Sequence, residues 1–183
     1  MGKLIFITGG SRSGKSSFGL DVAKAIDKKK IFIATCTPND EEMKERVRLH
    51  QISRPSSWKT IEANKQLLPV LTEEVKSDCV IIIDCLTLFV SALLIDGQED
   101  DEIKNEVMEI VNTIKNGMAT VILVTNEVGS GLVPENMLGR KFRDIAGFCN
   151  QVVGKGADEA YYLVSGLPIQ IKPAVNDKKT VAN

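Results

Sequence analysis

The chain has 183 residues, 43% hydrophobic and 26% charged, the proportions of a globular protein long enough to bury a substantial core. Its 23 basic and 24 acidic side chains leave a formal net charge of -1, so no global field favours nucleic acid or an anionic membrane surface. Cys36, Cys79, Cys85 and Cys149 lie far apart with no C-x-x-C pair, which reads as reduced, buried thiols in a cytoplasmic protein. The apolar run near the N-terminus is too short for a signal peptide, and no stretch approaches the length of a membrane span.

Leu4-Ile5-Phe6-Ile7 predicts a first parallel strand over 4–8, buried on both faces. Gly9-Gly10-Ser11-Arg12-Ser13-Gly14-Lys15-Ser16 follows, the complete pattern G-x-x-x-x-G-K-[ST] between a strand and a helix predicted over 15–27. Glycines at both ends let such a loop aim successive backbone N–H groups at phosphate oxygens. The helix adds its positive end, Lys15 reaches the β and γ phosphates, and Ser16 can hold Mg²⁺. The alternative, a Gly/Ser-rich turn without a ligand, does not explain why strand and helix both flank it.

Lys28-Lys29-Lys30 reads as a solvated helix end, and Ile31–Ala34 as a second strand that delivers Thr35-Cys36-Thr37 to the ligand-binding edge of an α/β sheet. A helix is predicted from the acidic turn Asn39–Glu42 to just before Arg54-Pro55. Met43, Val47 and His50, the only histidine, stand on its inward stripe. An extended passage over 56–62 precedes a helix over 63–76, which Pro69 would shorten or kink.

Val80–Asp84 is the most β-branched run and ends in a carboxylate, the pattern of the residue that holds Mg²⁺ behind a phosphate loop. A buried helix is expected over 86–94, an exposed acidic turn over 96–101 and an amphipathic helix over 102–116. Thr120–Val124 is a further buried strand, delivering Thr125–Gly131 to the same edge. A helix over 135–153 carries Arg140, Arg143, Asp144, Asn150 and Gln151, and two strands around Ser165-Gly166 predict a terminal β-hairpin. Residues 173–183 read as a frayed polar tail. The expected whole is a single phosphate-loop nucleotide-binding domain over 1–183, three layers around a mainly parallel sheet. These residues alone leave kinase, ATPase and nucleotidyltransferase open.

Further segments narrow the choice. Ile33-Ala34-Thr35, Asp40-Glu41-Glu42-Met43, His50, Arg54-Pro55, Trp58, Thr125-Asn126-Glu127-Val128-Gly129, Val133-Pro134-Glu135-Asn136, Phe142–Gly147 and Val164-Ser165-Gly166 occur in this order. Over residues 4–172 the chain resembles the bifunctional adenosylcobinamide kinase / adenosylcobinamide-phosphate guanylyltransferase family of cobalamin biosynthesis. The resemblance implies a RecA-like core, a homotrimer, GTP and ATP as substrates with Mg²⁺, and a corrinoid acceptor. It implies that His50 is guanylylated. It also places guanine-nucleotide contacts at Ala34, Thr35 and Cys36, at Gln51, Ile52, Ser53 and Arg54, and at Glu62 and Asp84. Many relatives carry Glu where this chain has Asp84, and Arg where it has Ser17. Neutral imidazole is a competent nucleophile near pH 7, with Lys15, Mg²⁺ and Arg46 or Arg54 to meet the developing charge. The competing readings are a kinase or NTPase with a structural His50, and a nucleotide-sensing module without turnover.

Overall fold

A computed structural model describes residues 1–36, 41 and 57–173. His50, its expected helix, Gln51, Ile52, Ser53, Arg54 and the tail beyond Pro173 lie outside the described residues. In chain order the elements are β1 (Lys3–Gly9), α1 (Lys15–Ala25), β2 (Lys30–Ala34), β3 (Lys59–Glu62), α2 (Leu67–Glu74), β4 (Val80–Asp84), α3 (Leu86–Ile95), α4 (Asp100–Asn116), β5 (Thr120–Val124), α5 (Met137–Gly156), β6 (Glu159–Val164) and β7 (Leu167–Lys172). The strands form one sheet in the order β3-β2-β4-β5-β1-β6-β7. All neighbours pair in parallel except the final β6–β7 hairpin.

The apolar strands predicted from β-branched runs are the middle of this sheet, and burial on both faces is why they show no polar alternation. Ile5, Ile7, Phe32, Ile82, Ile122 and Val124 pack beneath α1. Leu4, Phe6, Ile31, Ile33, Ile81, Ile83, Val121 and Leu123 face the other way, against α2–α5. Strand register sends alternate residues to opposite layers. Two residues further along four strands, the second row ends in Thr35, Cys85, Thr125 and Thr8, all buried, so the core closes in polar groups just below the carboxyl edge.

Some boundaries differ from the sequence expectation. Lys30 begins β2 instead of ending α1, and Lys28 pairs with Asp78 at 2.6 Å. The helix expected over 63–76 is limited to Leu67–Glu74. Pro69 therefore stands in its first turn, where a missing N–H costs nothing. The acidic turn is shorter than expected because Asp100 and Asp101 belong to α4, whose start is fixed by a Glu99/Glu102 capping box. Among the described residues no helix is long and apolar enough to cross a membrane.

Candidate functional site

The phosphate-loop segment runs from the end of β1 to the start of α1. Gly9 has a φ of +149° and Gly14 a φ of +94°. A Cβ on Gly9 would sit 2.5 Å from the Leu163 carbonyl oxygen and 2.9 Å from Ser13 Oγ, so only glycine fits where β1 turns off. Gly14 is the N-cap of α1 and has no side chain to offer, and the first turn of the helix carries no acidic residue. The first-turn amides and the positive helix end thus face outward without a competing anion. Half-buried Gly10 and exposed Ser11 and Arg12 form the crest, with Arg12 in the left-handed region at φ +55°.

Lys15 curls back over this crest. Its Nζ donates to the Gly10 carbonyl at 2.5 Å and to Ser13 Oγ at 3.3 Å. Burial holds the ammonium below the ordinary lysine value, with the Cys85 side chain and the Asp84 carboxylate opposing that shift. A cation kept in a desolvated cradle is poised for a polyanion. Ser16 stands beside it in the first turn, half-buried.

The strand ends bring the acidic candidates together. Glu62 pairs with Ala34, and Ala34 with Asp84, so Glu62, Ala34 and Asp84 form one transverse row on three adjacent strands. β5 alone lies between β4 and β1, which sets the Asp84 exit about 10 Å from the phosphate loop at ordinary strand spacing. Thr35 is buried and committed to its neighbour: Oγ1 donates to the Cys85 carbonyl at 2.7 Å and accepts from the Cys85 N–H at 2.8 Å. It stitches β2 to the chain leaving Asp84 and holds that carboxylate's backbone in place. Cys36 is half-buried, its thiol pushed up by burial and by the Asp84 charge.

Among the described residues no group of three or more His, Cys, Asp or Glu is arranged to hold a metal ion. One carboxylate, Asp84, and one hydroxyl, Ser16, instead suit Mg²⁺, which keeps several waters and takes its remaining ligands from phosphates.

Two further segments reach the phosphate loop: the hairpin tip, to which the sequence gives no role, and the segment after β5, which the sequence places at the ligand-binding edge with Glu127 and Glu135 expected near the corrinoid. The tip of the β6–β7 hairpin, in Val164-Ser165-Gly166, touches the phosphate loop: the Gly166 N–H donates to the Ser13 carbonyl at 2.9 Å. The segment after β5 is anchored to the same loop, with the Glu127 N–H donating to the Gly9 carbonyl at 2.9 Å. Glu127 Oε1 accepts from the Gly129 N–H at 2.6 Å, and Arg143 of α5 donates to the Gly129 carbonyl at 2.5 Å.

This arrangement can be set beside known proteins. The family model described as cobinamide kinase / cobinamide phosphate guanyltransferase matches residues 5–171. The chain belongs to that family. It is 38% identical over 181 residues to the bifunctional adenosylcobalamin biosynthesis protein CobU of Salmonella typhimurium, covering 92% of this chain and 99% of that protein. The namesake protein of Escherichia coli K12 is 35% identical with the same coverage. The bifunctional protein CobP of Pseudomonas aeruginosa is 33% identical over 168 residues, covering 91% of this chain and 95% of the relative. Among solved structures, the ATPase EscN of an enteropathogenic E. coli type III secretion system superposes with a TM-score of 0.55 at 16% identity. That match covers 90% of this chain and 43% of EscN. At such identity the likeness speaks for the fold alone, and it agrees with a RecA-like sheet. The chain is thus an enzyme of the cobinamide kinase / cobinamide phosphate guanyltransferase family.

Proposed function

We propose that one nucleotide-binding domain carries out two transfers in cobalamin biosynthesis. In the first, the γ-phosphate of ATP or GTP passes to the aminopropanol hydroxyl of adenosylcobinamide: the acceptor oxygen bonds to Pγ and gives up its proton to solvent, the bond from Pγ to the β–γ bridging oxygen breaks, and ADP or GDP leaves. In the second, an imidazole nitrogen of His50 attacks Pα of GTP, pyrophosphate leaves, and a GMP–histidine phosphoramidate forms. A phosphate oxygen of adenosylcobinamide phosphate then attacks that phosphorus, the P–N bond breaks, and adenosylcobinamide-GDP is released. The observation that carries this reading is the cradle of outward amides and buried Lys15 beside the Glu62–Ala34–Asp84 row, in a chain of this family.

Gly9, Gly10, Ser11, Arg12, Ser13 and Gly14 wrap the triphosphate, and Lys15 leaves the Gly10 carbonyl to neutralise its outer phosphates. Ser16 and Asp84 would hold Mg²⁺, which supplies charge neutralisation on the phosphate oxygens. Ala34, Cys36 and Glu62 sit where a guanine nucleoside would extend along the strand ends, with Thr35 acting through the Cys85 backbone. Gln51, Ile52, Ser53 and Arg54 complete the nucleotide contacts on the resemblance to the family. A cytoplasmic setting agrees with cysteines that are all free. A homo-oligomer, a trimer on the same resemblance, agrees with the apolar side chains exposed on the edge strand, Leu167 at 70%, Ile169 at 52% and Ile171 at 51%.

The test is covalent capture. GTP labelled at the α-phosphate should leave acid-labile, alkali-stable label on the wild-type protein and none on His50→Ala, while His50→Ala still phosphorylates adenosylcobinamide. Two in-line displacements also retain configuration at a chiral Pα. Label that survives in His50→Ala, or inversion at Pα, overturns the histidine intermediate and leaves the kinase alone.

A further inference from the structure

A closed ring of hydrogen bonds passes through the backbone of one residue, Asn126, at the exit of β5. The Asn126 N–H donates to Thr87 Oγ1 at 2.6 Å, and Thr87 Oγ1 lies 3.0 Å from Thr125 Oγ1. Thr125 Oγ1 donates to Asn150 Oδ1 at 2.9 Å, and Asn150 Nδ2 donates to the Asn126 carbonyl at 3.1 Å. The proton directions follow from chemistry. The amide oxygen of Asn150 only accepts, so the Thr125 proton is spent there, and Thr87 must be the donor to Thr125. Every hydroxyl both donates and accepts, and both backbone polar atoms of Asn126 are held. The two threonines are buried, where a broken ring would leave an unpartnered polar group.

The ring draws on three elements: Thr87 from the first turn of α3, Thr125 and Asn126 from the β5 exit, and Asn150 from α5. Asn150 and Arg143 stand at i+7 and i on α5, on one face and about 10.5 Å apart along its axis. Asn126 and Gly129 are three residues apart, about 10 Å of extended chain. One helix thus grips the segment 126–129 at both ends, Asn150 at Asn126 and Arg143 at Gly129. Between the grips, the Glu127 N–H is fixed to Gly9, the first residue of the phosphate loop.

We infer that Thr87, Thr125 and Asn150 are positioning residues for phosphoryl transfer, holding Asn126 and Glu127 in register with the phosphate loop so that the acceptor hydroxyl meets the γ-phosphate in line. The inference rests on the kinase half of the proposed function. Lys15 has its own local partners in Gly10 and Ser13, so loss of the ring leaves the lysine in place for the nucleotide and displaces the segment 126–129 beside it. A displacement of about 1 Å there costs on the order of 100-fold in rate.

The experiment measures adenosylcobinamide phosphorylation by ATP in the full-length protein, well below each variant's melting temperature. Thr125→Val and Asn150→Leu should each lower kcat by about 10- to 100-fold with KM for ATP within about two-fold of wild type. Their double variant should be little worse than the worse single, because the ring acts as a unit. Thr125→Ser, which keeps the hydroxyl, should restore kcat. Asn150→Asp keeps the volume and sets a carboxylate oxygen against the Asn126 carbonyl, and serves if Thr125→Val does not fold. A purely structural ring would lower the melting temperature and leave kcat within about three-fold; that result overturns the inference while the kinase stands. A wild-type protein unable to phosphorylate adenosylcobinamide overturns the functional reading itself.

Discussion

The N–H of Gly166, at the tip of the terminal hairpin, donates to the carbonyl of Ser13 in the phosphate loop at 2.9 Å. Ser165 and Gly166 both have positive φ, 50° and 85°, the geometry of a tight two-residue turn. A Cβ on Gly14 would lie 3.2 Å from Gly166 Cα. The last two strands therefore form a wall behind the loop as well as extending the sheet.

Gly14→Ala should damage the site through that wall. The substitution strains a residue held at φ +94°, at a cost of about 1–2 kcal/mol, and pushes the hairpin tip away from the loop. Thermal melts should show the lost stability, and calorimetric titration with Mg-GTP should show affinity reduced at least ~10-fold. Weaker folding with unchanged affinity would show that the hairpin supports the fold and not the cradle.

How much of this was legible beforehand follows from what kind of information each feature needs. The strands β1, β2, β4 and β5, the phosphate loop and the closing hairpin were readable because apolar runs, glycines and turn residues are local signals. α4 starts two residues before the apolar periodicity implies, because the Glu99/Glu102 capping box, and not the first buried side chain, sets its first turn. Asp84 could be placed at a strand end, but its neighbours could not. That Glu62, Ala34 and Asp84 share a row depends on the order of strands across the sheet, which no local pattern encodes. The sequence shows Asn150 only as a polar residue on α5; its ring partners Thr87 and Thr125 lie 63 and 25 residues away, a pairing that only packing creates. The nucleophile assigned to His50 stands on the resemblance to the family, since it lies outside the described residues.

Lys15→Met should separate stability from binding. The ammonium is desolvated and held below its usual value, so the unliganded fold bears a cost for keeping it charged at neutral pH. Methionine keeps the stem, and the Gly10 carbonyl retains the Ser13 N–H at 3.3 Å. The apo protein should melt no lower than wild type, while GTP affinity falls on the order of 100-fold. A large drop in melting temperature would assign Lys15 a structural role instead.

Cysteine reactivity offers a footprint of the site. Burial and the Asp84 charge push the Cys85 thiol up to about 12, and burial pushes Cys149 to about 12 despite the Lys104 charge. Cys79 is buried and raised as well. Only Cys36 is half-exposed, so iodoacetamide in the native protein should label it first, slowly at pH 7 and faster as pH rises toward its elevated value. Mg-GTP should protect it if the nucleoside lies along Ala34–Cys36. Peptide mass mapping checks both points, and undiminished labelling at saturating GTP would move the nucleoside elsewhere.

Far from the site, Asp158 ties the start of β1 to α4. Its Oδ2 accepts from the Leu4 N–H at 2.8 Å and its Oδ1 from Lys115 Nζ at 2.5 Å. Burial alone would raise the carboxyl, but the bonds from Lys115 and Leu4 outweigh it and hold the group below the ordinary carboxylate value. Next to it, the hydrogen bond from Lys3 lowers Glu159 in the same direction. The folded state therefore binds fewer protons than the unfolded chain. The stability this confers is complete above the unfolded carboxyl range near pH 4 and is lost as pH falls below it. With the Asp158 side chain 39% exposed, solvent screening limits the contribution to about 1 kcal/mol. Asp158→Asn should be less stable than wild type by about that amount at pH 7, with the gap closing toward pH 2–3 in urea melts. A gap that stays constant with pH would mean the asparagine disturbs packing, and that the ion pair with Lys115 contributes nothing.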